Sequence, residues 1–521
     1  MAGREGRGEL SADELRAVAA TRESYERIPY HSRPWTASRP AHLETIARLW
    51  GLQAPAAAGC RVLELGCGDA GNLLPLALAH PESECLGIDL AEVHIEAGRS
   101  LAKQLRLRNL RLEARSFVDL EDDLGDFDYV IAHGLMSWVS PVLQRQLFAT
   151  CKRLLAPRGV AFITYNTYPG WYVRAGIREM LLQQTRDLDD TGERIHQARA
   201  LLGFLRRAAP ESEAAYREQL EIVEDVASDP EREFYFAHEY LEDANYPFYF
   251  RDFAERAASQ GLQYLADAEH IDIEIDGISP ELQDRVEALA KDRIEALQLL
   301  DFARNRKFRQ SLLCHAEIAL ASQPDFGEVP AMYVASALEP SDPSAEIGVV
   351  SPLEFKNPRG RTLEVEDPLI KGALIRFSEE SSQPIAFDAL LAWSYARSGV
   401  TPSADAATRD GDRAMLAEML GRLFLVDMVE LSASPPCWTL EVSERPEASP
   451  LVRLDAAQGR HTTSLRHRRL ALDNPHVREV LALLDGTRDR SLLLAELGGG
   501  LPAEEVDKIL DLGARNAVLV S

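Results

Sequence analysis

The sequence lacks several patterns that would assign the chain to common protein classes. Its six cysteines are scattered and form no CxxC pair, which argues against a disulfide framework and against a zinc site. No apolar run approaches the ~18 residues of a membrane-spanning helix, and the segment Met1 to Tyr30 has no apolar core of the kind that signal peptides carry. We therefore expect a chain without membrane spans that works in a reducing cytoplasm.

The sequence also lacks an excess of positive charge. Lys and Arg number 57 against 83 Asp and Glu, which gives a formal net charge of -26 at pH 7. Such a surface repels nucleic acids and attracts cationic partners, although it also serves solubility alone. The histidines are dispersed, with no HxxxH spacing and no cluster of metal-ligand residues. The composition therefore predicts neither nucleic-acid binding nor a metal site.

What the sequence does contain is a strand, a glycine loop, a helix and a second strand. The apolar run 62–65 predicts a buried parallel strand, and 86–88 predicts another. The glycines of GCGDAG let the backbone turn sharply and approach a ligand closely. Asn72 begins the helix, and Asp89 ends the second strand about 20 residues beyond the loop, where a carboxylate can bind a ribose diol. This unit predicts a nucleoside-binding site.

The charges around the loop favour one class of nucleoside. The GxGxxG spacing is also typical of dinucleotide sites, but a pyrophosphate prefers a helix N-terminus with little negative charge nearby. Here Glu64 precedes the first glycine and Asp69 lies inside the loop. Acids in these places suit a ligand with a positive centre and no phosphate, such as S-adenosylmethionine (SAM). A dinucleotide site and a purely structural turn are the alternatives.

The alternation of strands and helices predicts the fold class and the domain organisation. Further strands at 110–114, 127–132 and 160–165 indicate an α/β protein with a doubly wound, Rossmann-like sheet. Raised Pro, Ser and charge at 338–360 predict a linker. The expected parts are an N-terminal helix or arm (1–29), a SAM-binding domain (30–170), a helical insert that serves as a cap or in dimerisation (171–230), an α+β middle domain (231–340) and a winged-helix-like C-terminal domain (341–521).

Two segments of the unit resemble a known family. VLELGCGDAGN resembles motif I of the class I SAM-dependent methyltransferases, and GIDL resembles their motif II. Later segments, IPYHSRP, AHGLMSWV, YNTYPGW, HEYLEDANYPFYF and DFARNRKFRQSLLC, resemble bacterial methyltransferases with a methyltransferase regulatory domain, among them the rickettsial protein lysine methyltransferases. The resemblance extends clearly from Tyr30 to Cys314 and weakly over the last third. It implies SAM as the cofactor and methyl transfer as the activity.

The resemblance also implies which residues bind the cofactor. Glu64 and the loop backbone would hold the methionine part of SAM, and Asp89 the ribose hydroxyls. The family commonly places an acid after the third strand at the adenine amino group, whereas this chain has Ser116 there and Asp119 three residues later, so either could reach the amine. The predicted cofactor residues are Tyr30, Arg33, Glu64, Gly66, Cys67, Gly68, Asn72, Asp89, Leu90, Ser116, Phe117 and His133.

Tyr30 and Arg33 are included because a segment before the first strand folds over the cofactor as a lid in many such enzymes. An arm that merely packs on the core is an equally good interpretation. Phe117 is included because its ring could stack on the adenine base.

The methyl-acceptor site is expected after the fourth and fifth strands. Aromatic faces there could stabilise a sulfonium or a cationic amine by about 0.5–2 kcal/mol each. His133 could serve as a base and Asn166 as a hydrogen-bond acceptor, although a structural role is the alternative for each of them. The predicted catalytic residues are His133, Asn166, Tyr168 and Trp171.

The first hypothesis for function is N-methylation of protein lysine side chains by in-line transfer. The alternatives are an O- or N-methyltransferase for a small molecule, and a SAM-binding scaffold or sensor without turnover. The expected partners are therefore a protein substrate or a small acceptor, with a homodimer as a further possibility. The basic run Arg304 to Arg309 is interpreted as a solvated or inter-domain ion-pair face, with contact to an acidic substrate as the alternative.

Overall fold

The main sheet of the protein has seven strands. The computed structural model describes residues 11–121, 124–269, 280–379, 384–498 and 500–520. The strands of the main sheet are β1 (Arg61–Leu65), β2 (Glu84–Asp89), β3 (Leu110–Ala114), β4 (Phe127–Ala132), β5 (Leu155–Asn166), β6 (Leu262–Asp267) and β7 (Phe308–His315). Their spatial order is β3-β2-β1-β4-β5-β7-β6, in which β7 is antiparallel to both neighbours and the pairs from β3 to β5 are parallel. The predicted α/β, Rossmann-like sheet is confirmed.

Helices surround this sheet and build the rest of the chain. The α-helices are α1 (Ala12–Arg27), α2 (Pro40–Leu49), α3 (Leu73–Ala79), α4 (Glu92–Gln104), α5 (Pro141–Leu154), α6 (Trp171–Thr185), α7 (Thr191–Ala208), α8 (Ala214–Ser228), α9 (Glu233–Tyr240), α10 (Phe250–Ser259), α11 (Pro280–Leu289), α12 (Arg293–Arg304), α13 (Pro368–Glu379), α14 (Phe387–Ser398), α15 (Ala406–Leu425), α16 (Pro450–Gln458), α17 (Pro475–Leu483), α18 (Arg490–Glu496) and α19 (Ala503–Arg515). The smaller strands are β8 (Tyr333–Ala335), β9 (Glu339–Pro340), β10 (Leu353–Lys356), β11 (Thr362–Val365), β12 (Ile385–Ala386), β13 (Glu430–Ser432), β14 (Thr462–Thr463) and β15 (Arg469–Leu470). Short 3-10 helices include Thr36–Ser38, Phe117–Asp119, Met136–Trp138, Pro230–Arg232 and Phe326–Ala331.

The two faces of the sheet are buried against different partners. Successive side chains of a strand point to opposite faces, so Val62 and Leu63 of β1 enter different cores. The face with Val62 packs against α2, α3 and the segment 329–431, and the face with Leu63 packs against α5, α10 and α12. Because both faces are covered, the central strands β4 and β5 consist mostly of buried apolar residues.

The segment predicted as a middle domain, 231–340, contributes two strands to the main sheet. β7 pairs with β5, and β6 closes the sheet edge beyond it. The helices α6 to α9, which include those predicted at 171–230, form a hydrophobic cluster of their own around Leu181, Leu202 and Phe236. The domain boundaries stay a prediction.

The linker predicted at 338–360 is wrong. This stretch contains β9 and β10, and its apolar side chains Leu338, Ile347 and Phe355 are buried in the same core as one face of the main sheet. Of the residues that suggested a linker, 341–346 lie in the mostly exposed segment between these strands, and 357–361 lie in the turn between β10 and β11. The composition therefore reflects the turns of this segment, whereas a few buried apolar side chains determine how the segment packs.

Residues 341–521, predicted as one C-terminal domain, are divided between two hydrophobic cores. The first part packs on the main sheet, whereas 448–519 form a separate cluster in which α16, α17 and α19 pack around Val480 and Leu510. The hairpin of β14 and β15 accompanies these helices. Helices with one small hairpin are the arrangement of a winged helix.

The basic run Arg304 to Arg309 is solvated only in part, since Lys307 is exposed whereas Arg306 and Arg309 form buried ion pairs. Arg306 and Arg309 are buried together with Asp267 and Asp301, at the junction of β6, β7 and α12. The guanidinium of Arg309 donates to both oxygens of Asp301 at 2.8 Å and to Asp267 at 2.6 Å. The two positive and two negative groups compensate one another inside the fold.

The structure also bears on membranes and metals. In the described part of the chain, every helix is too short or too polar to cross a lipid bilayer. Within the same residues, no three His, Cys, Asp or Glu side chains are grouped as ligands of a metal ion.

Candidate functional site

A cavity of about 530 Å³ opens at the carboxyl ends of β1, β2, β4 and β5. Open α/β sheets bind their ligands outside this edge, where the strand order reverses between β1 and β4. A second cavity, of about 640 Å³, is lined by 34–42, by 424–438 and by 465–468. The residues predicted from the sequence concentrate in the first cavity.

All but one of the predicted site residues line the first cavity. The exception is Tyr168, which is treated below. The residues that the fold brings together there are Tyr30, Arg33, Glu64, Gly66, Cys67, Gly68, Asn72, Asp89, Leu90, Ser116, Phe117, His133, Asn166 and Trp171.

The glycine loop has the tight geometry that its sequence predicts. Gly66 and Gly68 have φ angles of 75° and 55°, in the left-handed region that favours glycine. At Gly71, a Cβ atom would lie 2.3 Å from the backbone oxygen of Ser32. Any side chain at this position would displace the segment 30–35, which we call the strap.

The strap is fixed to the loop by side chains. Asp69 accepts hydrogen bonds from the backbone N–H of Ser32, at 3.0 Å, and from the Ser32 hydroxyl. The hydroxyl oxygen of Ser32 in turn accepts from the N–H of Gly71 at 2.6 Å. Asp69 does not line the cavity, so our interpretation of it as an acid that faces a positive centre is wrong. Its carboxylate holds the strap instead.

Of the two acids at the glycine loop, Glu64 and Asp69, Glu64 is the one that faces the cavity. Its side chain is 3% exposed, and Oε1 accepts a hydrogen bond from Nδ2 of Asn72 at 3.0 Å. Among the described residues, Oε2 is buried without a hydrogen-bond partner. Burial raises the pKa of Glu64 to about 8. A ligand ammonium would supply the missing donor, so this acid suits a cationic amino group.

Asp89 is held by the backbone on one side and by a histidine on the other. It accepts from the N–H of Gly68 at 2.9 Å and from the N–H of Ala91 at 3.0 Å. The N–H of Tyr30 donates to Nε2 of His94 at 2.8 Å, so the imidazole proton is on Nδ1, 3.3 Å from Asp89. Sequence reasoning missed His94, and its only signal was its place in the first turn of the helix after Asp89.

The part of the cavity that Phe117 lines could receive an adenine ring. Phe117 is almost fully buried and lines the cavity together with Ser116 and Leu90. The hydroxyl of Ser116 accepts from the N–H of Val118 at 3.4 Å, which caps the short helix that carries Phe117. Of the two residues expected at the adenine amine, Ser116 lines the cavity and Asp119 does not.

His133 and Asn166 lie side by side, at the ends of β4 and β5. The ring of His133 stacks on Trp35, with centroids 4.3 Å apart, and its Nδ1 is 3.2 Å from the hydroxyl of Thr164. Burial lowers the pKa of His133 to about 4, so the ring is neutral at pH 7. Asn166 is buried, and its Nδ2 has no hydrogen-bond partner in the part of the chain described. Both groups can therefore hydrogen-bond a ligand.

Beyond this pair, the cavity is lined by aromatic rings and by charges of both signs, with Arg174, Arg232 and Lys307 among its cations. Its rings belong to Trp138, Trp171, Phe234, Tyr235 and Tyr246, and its carboxylates to Glu239 and Glu242.

The two carboxylates have different partners. Glu239 pairs with Arg174 at 3.1 Å, and burial raises the pKa of Glu239. Glu242 accepts from the hydroxyl of Ser24 on α1 at 2.8 Å. Sequence reasoning quoted both acids within HEYLED as part of a resemblance but assigned them no role.

Tyr168 is the predicted site residue that the fold does not bring to the cavity. Its ring stacks on Tyr172, with centroids 4.1 Å apart, and tilts against Tyr249. Tyr172 is 52% exposed and its hydroxyl lies 3.0 Å from that of Tyr249. The loop after β5 turns at Tyr168. The side chain of Tyr168 therefore joins this outer tyrosine cluster, whereas the side chain of Trp171 lines the cavity.

Three parts of the chain match known families. Residues 62–159 match a family described as "Methyltransferase domain", 232–315 match "Predicted methyltransferase regulatory domain", and 444–508 match "PKMT, C-terminal winged helix domain". The structure of PKMT2 from Rickettsia typhi in complex with AdoHcy (S-adenosylhomocysteine) has a TM-score of 0.81 and 26% identity, and covers 95% of this chain and 100% of that chain.

The chain belongs to the class I SAM-dependent methyltransferases. An uncharacterized protein of Rickettsia prowazekii is 28% identical over 496 residues, which are 94% of this chain and 88% of that protein. A second uncharacterized protein of the same organism is 35% identical over 246 residues, 46% of this chain and 96% of that one. The chain is therefore an enzyme whose cofactor is SAM, and the predicted winged helix at its C-terminus is confirmed.

The residues of the cavity fit this cofactor. SAM presents an ammonium, a ribose diol and an adenine, and its sulfonium carries the methyl group that is transferred. The unpartnered oxygen of Glu64 suits the ammonium. The fixed carboxylate of Asp89 suits the diol, and the mostly apolar wall around Phe117 suits the base.

Proposed function

We propose that this methyltransferase N-methylates lysine side chains of a protein substrate. The observation that carries the proposal is the aromatic part of the cavity, which contains Trp138, Trp171 and Tyr246 together with the carboxylates Glu239 and Glu242. Aromatic faces and carboxylates attract a cationic amine, and a lysine is the commonest such group on protein surfaces. The match of 444–508 to a PKMT winged-helix family and the similarity to PKMT2 support the same substrate class.

The proposed cofactor contacts follow from the polar groups of the glycine-loop side. Glu64 would receive the amino group of SAM, and Asp89 the ribose hydroxyls, with His94 fixing the orientation of Asp89. Phe117 would stack on the adenine, and Ser116 would face its amine. The strap residues Tyr30, Arg33 and Trp35 would cover the ligand.

The proposed chemistry is an in-line displacement. A lysine ammonium has no lone pair, so it must first lose a proton, and an aromatic, largely buried environment lowers the pKa of an amine. The neutral ring of His133 could accept a hydrogen bond from the amine, and Asn166, which lines the same cavity, could orient it. The lysine nitrogen then forms a bond to the methyl carbon while the carbon–sulfur bond breaks and the sulfur keeps the electron pair. Positioning supplies most of the rate enhancement.

The test is methyl transfer from labelled SAM, with the purified protein, a lysate protein fraction and a separate small-molecule fraction. Base-stable label in protein that maps to lysine would support the proposal. Label in small molecules alone would favour an O- or N-methyltransferase for a metabolite. If no label appeared while calorimetry detected SAM binding, the proposal would fail and a SAM-binding scaffold would replace it.

A matched pair of variants links this activity to the cavity. Asn166→Ala should lower transfer about 10- to 100-fold with little change in SAM affinity, because the side chain lies on the acceptor side. Gln184→Ala, at an exposed position on α6, is the control and should retain full activity. Equal activity of the two variants would remove Asn166 from the acceptor site.

A further inference from the structure

The hairpin of the C-terminal winged helix is turned inward. This hairpin, the wing (462–470), contains β14, β15 and the turn between them. Residues 462–467 are all buried, and the N–H of Leu465 donates to the oxygen of Ala517 at 2.8 Å. The turn is basic, with Arg466, Arg468 and Arg469, and its last two arginines are exposed, whereas Arg466 and His467 are buried.

His467 at the tip of the wing reaches the cofactor side of the sheet. Its side chain is 3% exposed, and Nε2 lies 2.8 Å from Oδ1 of Asn72. The hydroxyl of Thr36, which follows the strap, donates to the backbone oxygen of His467 at 2.9 Å. The Asn72 oxygen is an acceptor, so Nε2 of His467 carries the proton and donates it.

Asn72 connects the wing to the acid that faces the cavity. The backbone N–H of Trp35 donates to its Oδ1 at 2.9 Å, which fixes the orientation of the amide. Its Nδ2 therefore points to Glu64, 3.0 Å away. A donor at Oδ1 polarises the amide and strengthens the hydrogen bond that Nδ2 donates. His467, Asn72 and Glu64 thus form one chain of hydrogen bonds, in which His467 and Asn72 are 395 residues apart in the sequence.

We propose that the C-terminal winged helix acts as a clamp on the cofactor site, with His467 as a positioning residue that fixes Asn72 and, through it, Glu64. The proposal gives the winged helix a role within this chain, in place of nucleic-acid recognition. It rests on the proposed contact between Glu64 and the amino group of SAM. Because coupling is reciprocal, SAM binding must also stabilise the docked wing, and a partner that displaces the wing must weaken SAM binding.

SAM affinity of full-length variants, measured by calorimetry, tests the positioning role. His467→Ala should weaken binding about 5- to 20-fold, and His467→Gln should restore it to within about threefold, because the amide N–H can replace Nε2–H. His461→Ala is the matched control, since this histidine is exposed beside the same hairpin, and it should leave the affinity unchanged.

A double-mutant cycle separates positioning from a general loss of structure. In an Asn72→Ala background, His467→Ala should change SAM affinity less than about twofold, because the link to Glu64 is already broken. An equal loss in both backgrounds would overturn the proposal, since a merely structural role gives additive effects.

Hydrogen exchange supplies a readout that does not depend on activity. SAM should slow exchange of the wing amides in the wild-type protein, and this protection should disappear in Asn72→Ala. Wing exchange that is insensitive to SAM in the wild-type protein would overturn the clamp. Glu64→Gln distinguishes the two proposals. An unchanged SAM affinity of this variant would overturn the contact with Glu64. A weakened affinity of the variant, together with wild-type wing exchange that SAM does not slow, would overturn the clamp alone.

Discussion

The two halves of the cavity are built in different ways. On the cofactor half, Gly68 and Asp89 are 21 residues apart, and the backbone N–H of Gly68 donates a hydrogen bond to the side-chain carboxylate of Asp89. On the acceptor half, Trp138, Arg174 and Glu239 come from three separate segments that meet only in the folded chain. Local chain geometry therefore determines the cofactor half, and long-range packing determines the acceptor half.

The two halves of the cavity also differ in their electrostatics. Glu64 on the cofactor half keeps a buried oxygen without a partner in the described structure, ready for a cationic ligand. Glu239 on the acceptor half is already paired with Arg174. Phe308 of β7 also lines the cavity. The next residue, Arg309, belongs to the buried ion network with Asp267 and Asp301. A contact point for a cationic group is thus left open on one side, whereas the carboxylate on the other side is already compensated.

The largest effect is expected from breaking the ion network. Arg309→Met should lower the free energy of unfolding by about 3–5 kcal/mol, because it leaves two buried carboxylates without their main partner. The measurement is urea-induced unfolding, followed through the transition in which the main sheet unfolds. At a temperature where the variant is folded, SAM affinity should stay within about threefold of the wild-type value, since the cofactor half is held by its own loop.

Arg251→Met on α10 is the control for this variant. Its guanidinium is exposed and pairs with Glu255 at 3.8 Å, so the expected change is below about 0.5 kcal/mol. If Arg309→Met weakened SAM binding as strongly as it weakened the fold, the two halves would not be independent.

The next largest effect is expected at the ribose contact. Asp89→Ala should weaken SAM binding by about 1–3 kcal/mol, because it removes a charged hydrogen-bond acceptor. Asp89→Asn separates charge from geometry, since the amide keeps the shape of the side chain. Asp119→Ala, outside the cavity, is the control. An affinity for SAM that calorimetry found unchanged in Asp89→Ala would remove Asp89 from the site.

This contrast explains how much of the site could be predicted from the sequence. The glycine loop and Asp89 are encoded within 30 residues, and their roles follow from spacing and charge. Glu239 could not be predicted, because only the packing of α9 over the sheet brings it to the cavity. Asn72 was predicted as a contact, but its link to His467 depends on the docking of a segment almost 400 residues away.

The fold shows the same pattern of success and failure. The periodicity of apolar residues predicted the strands up to β5 and the helices of 171–228, because each element is defined by its own sequence. The linker at 338–360 failed, because burial of a few residues such as Phe355 depends on a distant surface. Tyr168 lies outside the cavity for a related reason, since the turn after β5 decides which of two neighbouring aromatic side chains lines it.

A moderate effect is expected from the titration of Glu64. The pKa of this acid is about 8 in the free protein, so it is mostly protonated at pH 7. A bound ammonium favours the carboxylate, and SAM binding should therefore release up to one proton. Affinity should rise by up to about tenfold per pH unit between pH 6 and 8 and then level off.

Calorimetry in buffers with different ionisation enthalpies measures this proton release directly. Glu64→Gln removes the titrating group but keeps the shape, so its SAM binding should be weaker and should lose the proton release that Glu64 causes. The amino group of SAM titrates equally with both proteins and cancels in the comparison. Identical proton release in the two proteins would place the ammonium elsewhere.

The smallest effect is expected from Tyr168→Ala. The side chain stacks in the outer tyrosine cluster with Tyr172 and Tyr249, so SAM affinity should change less than about twofold and methyl transfer less than about threefold. Trp171→Phe is the informative counterpart. Trp171 lines the cavity and its Nε1 donates to Asn245 at 2.9 Å, so this variant should lower transfer about tenfold while SAM affinity is kept. If Tyr168→Ala instead lost more transfer than Trp171→Phe, the acceptor would contact the outer tyrosine cluster, and the acceptor half would extend beyond the cavity onto the protein surface.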